Sequence, residues 1–570
     1  MPSRVVDYLV RAVSTLGVRH IFGVDGANIE DLYDALFDAP CDVTGIVAKH
    51  EFSAATMADG YARSTGGLGV VAATSGGGAM NLVAGLAESF ASRVPVLALV
   101  GQPPTALEGN GAFQDSSGLG GTIDAARMFG EITQYCARVD SAADLPDKLS
   151  RAVDAARRGG PAVLLLPKDV QQSDTGDIPP FRSTPPTHRR DENSLARVRA
   201  ALTAARKVGK IVIIAGDQVA RDDARTELAR LARTLDASVG VAPDAKDTYD
   251  NADPGFCGVA GIMGHPELSA ALHSATLCLI VGTPMPITAR TGLDELLAER
   301  TVAHIGVAAP YLSAIHATST DLARDLGALA DELTGGSTGG RQSAGRVNTE
   351  SSHPYPPHEL TPLRVPESTG PGLRYRELVE TIEALLPEGT DVFADAGNTG
   401  AAVVHHLRVP RDGRFVVALG MGGMGYAFGA AIGSAFARYR GPSGTRRTVV
   451  VAGDGAFFMH GMELHTAIEH QLPVTFIVLN NNAHAMCVTR EQLYYRDRYS
   501  FNRFRPSNLG AGIGAMFPEL PAHSVRTTAD LAIALGRCVE SEGPAFISID
   551  VDPDEVPPFI PFLATLEKKP

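Results

Sequence analysis

The sequence predicts an α/β protein made of three doubly wound parallel-sheet domains. At 570 residues the chain is too long for a single hydrophobic core. Short apolar runs bounded by glycine or proline alternate with segments of helical periodicity along most of its length, as in βαβ units. A composition of 44% hydrophobic residues, 60 glycines and 37 prolines is typical of a globular protein with many tight turns.

The first domain is predicted at residues 1–180. It begins with an amphipathic helix within residues 1–17, where Arg4, Asp7 and Arg11 interrupt the apolar positions and argue against a signal peptide. Buried strands are expected at 69–73, 94–100 and 162–166. These runs are short and flanked by turn residues, so they favour a parallel sheet covered by helices.

Two polar linkers divide the rest of the chain. A Pro-, Ser- and Thr-rich stretch at 171–193 precedes a second domain predicted at 194–334, with strand-like runs starting at Lys210 and Leu277. A longer Gly- and Ser-rich linker over 335–371 leads to a third domain at 372–570. Strands of that domain are expected within 391–397, 447–455 and 473–482.

The net charge, the spacing of the cysteines and the length of the apolar runs argue against several classes of protein. A net charge of −14 without a basic, aromatic stretch argues against nucleic acid as a partner. The six cysteines lie far apart with no CxxC pair, which indicates reduced thiols. No apolar run reaches the roughly 18 residues of a membrane span. We therefore expect a cytoplasmic enzyme that acts on small molecules.

Polar clusters directly follow two of the predicted strands in the third domain. Gly-Asp-Gly ends one strand at Asp454, and Asn480, Asn481 and Asn482 end the next. In an open parallel sheet, ligands bind at the carboxyl ends of strands, and glycines let phosphate oxygens approach backbone N–H groups. Carboxylate and amide oxygens are ligands that Mg²⁺ prefers. The pattern indicates a site for a metal and a diphosphate.

The spacing of these clusters resembles the thiamine-diphosphate signature. Between Gly455 and Asn480 lie 24 residues, the separation at which that signature places its Asn-Asn after Gly-Asp-Gly. Thiamine chemistry also needs a carboxylate beside the aminopyrimidine ring of the cofactor, to move protons through that ring. Glu51 is the candidate, although its position alone also suits an ordinary glutamate in the first turn of a helix.

Longer segments resemble the acetohydroxyacid (acetolactate) synthase family over roughly two thirds of the chain. They carry the sequences ATSGGGAMNLVAGLAES, PVLALVGQPP, GAFQD, PAVLLLPKDVQQ, LGMGGMGYAFGAAIG and VPPFIP. The resemblance implies that the three domains are pyrimidine-binding, central and diphosphate-binding. It also implies subunit-interface active sites in a homodimer or homotetramer.

The resemblance assigns roles residue by residue. Mg²⁺ would be bound by the side chains of Asp454 and Asn481 and the carbonyl of Ala483. Glu51 would hydrogen-bond the pyrimidine ring, and Met424 would bend the cofactor. Phe113 and Gln114 would line the space where the two substrates meet. The remaining cofactor contacts would come from Gly26, Gly397, Asn398, Thr399, Gly422, Gly455, Ala456 and Met486.

Departures from the family concern the acceptor and a second cofactor. Arg490 stands where the family carries a tryptophan, and this chain has no tryptophan. A guanidinium there suits an acceptor with a carboxylate or phosphate, although a surface arginine is an equal alternative. His484 lies beside the metal segment and could contact substrate. Flavin binding stays open. Arg158 and the glycines of 260–264 match the flavin-binding pattern of the family. Residues 283–292 depart from that pattern, and Arg290 is the candidate to replace one of its arginines.

The expected reaction is decarboxylation of a 2-keto acid such as pyruvate, followed by transfer of the acyl unit to an acceptor carbonyl. A 2-keto acid decarboxylase without ligation is one alternative, and a ligase of specialised metabolism with an anionic acceptor is another. A catalytically inactive relative would have lost Glu51, Asp454 or Asn481, and all three are present.

Overall fold

The computed structural model describes residues 3–38, 41–182, 188, 190–334, 359–438 and 446–567. Three six-stranded sheets, each parallel throughout, follow one another along the chain. The predicted fold class is confirmed. No helix among the described residues is long and apolar enough to cross a bilayer.

The N-terminal sheet has the strand order β2-β1-β3-β4-β6-β5. Its strands are β1 His20–Val24, β2 Thr44–Val47, β3 Gly69–Ala73, β4 Val96–Gln102, β5 Tyr135–Arg138 and β6 Pro161–Pro167. Its helices are α1 Val5–Thr15, α2 Glu30–Phe37, α3 Glu51–Thr65, α4 Gly77–Ala91, α5 Ala125–Gly130, α6 Leu145–Arg157 and α7 Lys168–Gln172. Strands β3, β4 and β6 are buried at every residue because helices cover both faces of the sheet.

The central sheet has the order β12-β11-β10-β7-β8-β9. Its strands are β7 Lys210–Ala215, β8 Ser238–Val241, β9 Phe256–Val259, β10 Ala275–Val281, β11 Thr301–Gly306 and β12 Ile315–Thr318. Its helices are α8 Glu192–Ala205, α9 Gln218–Arg221, α10 Arg225–Leu235, α11 Pro266–Ser274, α12 Ile287–Arg290, α13 Asp294–Ala298 and α14 Leu322–Thr334.

The C-terminal sheet has the order β14-β13-β15-β16-β18-β17. Its strands are β13 Asp391–Ala394, β14 Phe415–Val417, β15 Thr448–Gly453, β16 Val474–Asn480, β17 Ala522–Val525 and β18 Ala545–Asp550. Its helices are α15 Tyr375–Glu383, α16 Asn398–His406, α17 Tyr426–Arg438, α18 Asp454–His460, α19 Leu464–Glu469, α20 Ala485–Tyr494, α21 Leu509–Met516, α22 Thr528–Glu540 and α23 Ile560–Glu567.

The first and third sheets share one topology. Counted within its own domain, each has the strand order 2-1-3-4-6-5. The chain reverses its winding direction between the first and third of these strands, and the crevice outside their carboxyl ends is where open α/β sheets bind ligands. In the C-terminal domain this crevice lies beyond β13 and β15, and in the N-terminal domain beyond β1 and β3.

Helices α3 and α17 join the N-terminal and C-terminal domains at very close range. A Cβ added to Gly60 would lie 2.0 Å from the carbonyl oxygen of Ala430, and one added to Gly433 would lie 1.9 Å from that of Met57. Glycines therefore let the two backbones touch. Apolar side chains of both helices belong to one core, with Phe52 and Phe428 among them.

The predicted linkers lie partly outside the described residues, since 183–187, 189 and 335–358 are not described. The described residues 359–371 form no helix or strand, as expected of a linker. Between the first two domains, α7 continues to Gln172 and α8 begins at Glu192, so the stretch 171–193 predicted as a linker begins and ends within a helix.

Candidate active site

Asp454 is the first residue of α18 and directly follows β15. Its side chain is buried, and its Oδ2 has no hydrogen-bond partner among the described residues. Burial raises the pKa of this carboxyl to about 6, because nearby backbone N–H groups offset only part of the lost hydration. A buried acceptor without a partner at a ligand crevice fits a cation that the protein binds there.

The segment after β16 lies beside Asp454. Asn481 is buried, and its Oδ1 accepts a hydrogen bond from the N–H of Ala483 at 3.0 Å. Asn482 adopts a positive φ of 52° and turns the chain towards α20. One carboxylate, one amide oxygen and one backbone carbonyl are hard oxygen donors, so this set fits Mg²⁺ completed by phosphate oxygens and water.

The start of α16 faces the same crevice. Gly397 has a φ of 90°, and a Cβ added to it would meet open space. The Oδ1 of Asn398 is buried without a hydrogen-bond partner in the described chain, and the hydroxyl of Thr399 lies 3.5 Å from where Gly453 would carry a Cβ. The first N–H groups of a helix bind anions readily, so α16 is placed to receive a diphosphate.

The side chains of Met424 and His484 both lie close to Gly455. A Cβ added to Gly455 would lie 3.2 Å from Cε of Met424 and 2.6 Å from Cδ2 of His484. His484 also packs edge-on against Phe504, with ring centroids 4.8 Å apart. The structure thus brings the predicted wedge, the glycine after Asp454 and the predicted substrate histidine together.

Glu51 is the first residue of α3 and is buried. Its Oε2 accepts a hydrogen bond from Nδ2 of Asn81, 2.9 Å away on α4. A Cβ on Gly78 would lie 3.0 Å from its Oε1, so a larger residue there would crowd the carboxylate. The preceding His50 caps the helix, its Nδ1 accepting from the N–H of Phe52.

Gly26 and Gln114 contact Thr74 at the crevice of the N-terminal sheet, and Phe113 directly precedes Gln114. A Cβ on Gly26 would lie 2.8 Å from that of Thr74, whose hydroxyl lies 3.1 Å from Oε1 of Gln114. Gln114 has a positive φ of 58°, and the exposed Phe113 presents its carbonyl to Asn28 at 3.5 Å. Gly78, beside Thr74, connects this group to Glu51.

Three predicted residues lie apart from these contacts. Met486 packs against the apolar cluster of Leu493, Val556 and Phe562. Arg490 is exposed on α20, with its guanidinium 3.9 Å from Sγ of Cys487. Arg290 lies in the central domain and donates to the carbonyl of Tyr311 at 2.8 Å.

Sequence reasoning missed several residues that shape the two halves of the site. Asn81 and Thr74 belong to the segment ATSGGGAMNLVAGLAES, which resembles the synthase family. The sequence does not show, however, that Asn81 contacts Glu51 or that Thr74 contacts Gln114. Asp395 was also missed: its buried carboxylate accepts from the N–H groups of Gly425 and Ala427 at 2.9 Å each. Its place directly after β13 is the signal that could have found it.

The features matched to flavin binding do not converge. Arg158 lines a cavity of about 660 Å³ between the N-terminal and central domains, together with Arg93, Gln218 and Arg221. Arg290 and residues 260–264 do not line it. A Cβ on Gly261 would lie 1.9 Å from the carbonyl oxygen of Thr288, so residues 260–264 directly touch the segment 283–292 that departs from the flavin pattern. Among the described residues matched to flavin binding, Arg158 alone lines this cavity.

Three family models match the chain in order. The N-terminal and C-terminal TPP binding domains of thiamine pyrophosphate enzymes match residues 3–119 and 395–549, and the central domain of these enzymes matches residues 195–333. The chain belongs to the thiamine pyrophosphate enzymes, whose cofactor is also called thiamine diphosphate.

Individual relatives span almost the whole chain. The acetolactate synthase isozyme 2 large subunit of Escherichia coli (strain K12) is 27% identical to it over 97% of both sequences. The sulfoacetaldehyde acetyltransferase of Castellaniella defragrans is 28% identical over 94% of this chain and 90% of its own. The crystal structure of benzoylformate decarboxylase from Polynucleobacter necessarius has a TM-score of 0.80, 19% identity and coverage of 97% of this chain and 99% of that one. That likeness shows the fold.

Proposed function

We propose that the protein is a thiamine-diphosphate- and Mg²⁺-dependent carboligase resembling acetolactate synthase. It would decarboxylate a 2-keto acid such as pyruvate and transfer the acyl unit to an acceptor carbonyl. The observation that carries the proposal is the crevice beyond β13 and β15. There Asp454 and Asn398, the first residues of α18 and α16, each have a buried side-chain oxygen with no hydrogen-bond partner among the described residues.

The C-terminal half of the site would hold the cofactor's diphosphate. Asp454, Asn481 and the carbonyl of Ala483 would bind Mg²⁺, which would offset the negative charge of the diphosphate. The N–H groups at the starts of α16 and α18 would donate to the oxygens of the diphosphate. Met424 would press against the middle of the cofactor and hold it bent.

The N-terminal half would move the proton that starts the chemistry. Bound thiamine diphosphate would supply a thiazolium ring whose carbon adds to a keto-acid carbonyl and which takes up the electron pair left behind when CO₂ departs. Glu51 would hydrogen-bond the pyrimidine ring, with Asn81 orienting its carboxylate. Phe113 would exclude water beside the reacting atoms, and Gln114 would orient the substrates.

A second copy of the chain is needed to complete the site in this proposal. Among the described residues, no hydrogen bond or ion pair joins the carboxylate of Glu51 to the C-terminal half. Exposed apolar side chains border both halves, namely Phe113 and Leu119 on one side and Met421 and Phe458 on the other. Their burial by a partner supports the homodimer or homotetramer expected from the sequence.

The acceptor is the open part of the proposal. Arg490 lies six residues after His484 on the segment that carries the metal ligands, and it is exposed. One relative is named after sulfoacetaldehyde, an anionic compound, which supports an anionic substrate near Arg490, whereas the likeness to a decarboxylase structure shows the fold alone. Phe113 and Gln114 favour ligation over plain decarboxylation by their resemblance to the synthase family.

Product analysis tests the proposal. The purified protein is incubated with Mg²⁺, thiamine diphosphate and pyruvate, alone and with a second keto acid, an aldehyde or phosphate, and products are identified by mass spectrometry. Acetolactate or another condensation product is the expected result. Acetaldehyde as the sole product would establish the decarboxylase instead, and acetyl phosphate would establish an anionic acceptor.

A further inference from the structure

Two buried glutamates cross the contact between the N-terminal and C-terminal domains in opposite directions. We propose that Glu88 and Glu463 are positioning residues, each of which holds the backbone segment that carries the other domain's cofactor-contacting residue. Glu88 holds the loop before Met424, and Glu463 holds the residues before Glu51. The inference rests on the proposed function and extends it to residues that do not touch the cofactor.

Glu88 lies on α4 of the N-terminal domain and is 2% exposed. Its carboxylate accepts hydrogen bonds from three consecutive N–H groups, those of Gly420 at 3.1 Å, Met421 at 2.6 Å and Gly422 at 3.2 Å. The hydroxyl of Ser92 donates to it at 2.7 Å. The carboxylate therefore fixes a loop that has no strand or helix of its own.

That loop leads directly to the proposed wedge. Gly422, one of the residues expected to contact the cofactor, adopts a φ of 68°, and Met424 follows two residues later. The side chain of Met421 is 63% exposed, so packing alone holds the loop weakly. The orientation of the backbone carbonyls in this loop depends mainly on the three hydrogen bonds to Glu88, which are charge-assisted and correspondingly strong.

Glu463 makes the reciprocal contact from the C-terminal domain. It is 2% exposed, and its two carboxylate oxygens lie 3.1 and 3.2 Å from the backbone N of Lys49. The hydroxyl of Thr466 donates to it at 2.7 Å. Lys49 is two residues before Glu51, so this bond fixes the approach of the chain to α3.

Aromatic contacts link the same two segments. The ring of Phe52 stacks on that of His460 at 4.2 Å between centroids, and it lies 3.6 Å from where Gly423 would carry a Cβ. The two glutamates thus sit on either side of one packed contact between the residues next to Glu51 and those next to Met424.

The test uses the full-length variants Glu88→Gln and Glu463→Gln, with Glu469→Gln as a matched control. Glu469 also crosses this interface, to Lys49, but its side chain is 46% exposed. A glutamine keeps the size of the side chain but presents NH₂ to N–H donors. Two quantities are measured for each protein: the affinity for thiamine diphosphate with Mg²⁺, and the rate at which the C2 proton of the bound cofactor exchanges for deuterium.

We expect both glutamine variants to slow proton exchange by about tenfold or more, because small displacements of catalytic groups are costly. Glu463→Gln should leave cofactor affinity within about twofold of wild type, since the bond that it loses is to Lys49 of the N-terminal half. Glu88→Gln releases the loop before Met424 and should therefore also weaken cofactor affinity. The Glu469→Gln variant should match wild type. If a glutamine variant does not fold, Glu88→Asp and Glu463→Asp, which keep the charge but shorten its reach, should slow exchange instead.

Exchange at the wild-type rate in folded variants at both positions would overturn the inference while leaving the proposed function intact. Failure of the wild-type protein to bind thiamine diphosphate would overturn both.

Discussion

The carboxylate of Glu51 accepts a hydrogen bond from Nδ2 of Asn81 at 2.9 Å, across the contact between α3 and α4. The amide holds one oxygen of the carboxylate and leaves the other beside Gly78. A proton-transfer group needs this kind of support, because its orientation must be set before substrate arrives.

Replacing Glu51 by Gln should lower turnover by about 10² to 10⁴-fold, the usual contribution of a general acid or base. Affinity for Mg²⁺ and thiamine diphosphate should change little, because the diphosphate half is unaltered. Glu30→Gln is the matched control, since Glu30 also begins a helix but its side chain is 57% exposed. Steady-state rates and cofactor titrations check both outcomes, and a fully active Glu51→Gln enzyme would remove Glu51 from the proposed site.

Replacing Asp454 by Asn should weaken Mg²⁺ binding by about tenfold or more, because Mg²⁺ prefers charged oxygen donors. Isothermal titration with Mg²⁺ in the presence of thiamine diphosphate measures the loss. Asp554→Asn serves as the control, since this aspartate pairs with Arg503 and its side chain is 52% exposed. Equal Mg²⁺ affinity in the two variants would contradict the assignment.

Replacing Arg490 by Ala should raise the Michaelis constant for an anionic acceptor and leave that for the keto-acid donor nearly unchanged. The loss of one charge-assisted contact corresponds to about a tenfold effect or more. Arg498→Ala, a change farther along the same arginine-rich segment, is the control. An unchanged acceptor constant would assign Arg490 to the surface.

His405 should make the folded state sensitive to acid. Its Nδ1 lies 3.0 Å from the carbonyl oxygen of Met263, and its Nε2 accepts from the N–H of Leu363, so the ring is neutral. Burial lowers the pKa of His405 to about 4, below its ordinary 6.5. The folded state therefore loses stability as the pH falls from about 6.5 towards 4, by about 2 to 3 kcal/mol for this group.

Denaturant titrations at several pH values measure this loss. His405→Gln, whose amide supplies one donor and one acceptor, should flatten the curve between pH 6.5 and 4. A curve as steep as that of wild type would show that other groups carry the acid sensitivity.

Gly433→Ala should destabilise the protein by about 3 kcal/mol or more, because its Cβ would collide with the backbone of α3. Gly536→Ala is the control: it lies inside α22 with open space around it, and alanine there should stabilise by up to about 1 kcal/mol. Thermal unfolding of both variants measures the difference. Equal melting temperatures would contradict the close contact of α3 with α17.

The sequence predicted much of the fold because buried parallel strands are short apolar runs bounded by turns. The runs around Gly69 and Val474 became strands within a residue or two of the expected bounds. Asp454 and Asn481 can be proposed as metal ligands from the sequence because strand ends, hard oxygen donors and spacing are all local features of the chain.

Contacts between distant segments could not be predicted in this way. Glu88 bonds residues more than 330 positions away, and Glu463 bonds one 414 positions away. Neither residue differs in its own sequence context from a solvent-exposed glutamate on a helix. Met486 stays a prediction as a cofactor contact, and its partly buried side chain packs against the cluster of Leu493, Val556 and Phe562.

The most direct measurement is the release of CO₂ from pyruvate and other 2-keto acids by protein first stripped of metal and cofactor. The account predicts release only when both Mg²⁺ and thiamine diphosphate are restored, and almost none from the Glu51→Gln protein under the same conditions. Binding of the cofactor without CO₂ release from any 2-keto acid would contradict the account, as would release that is independent of the cofactor.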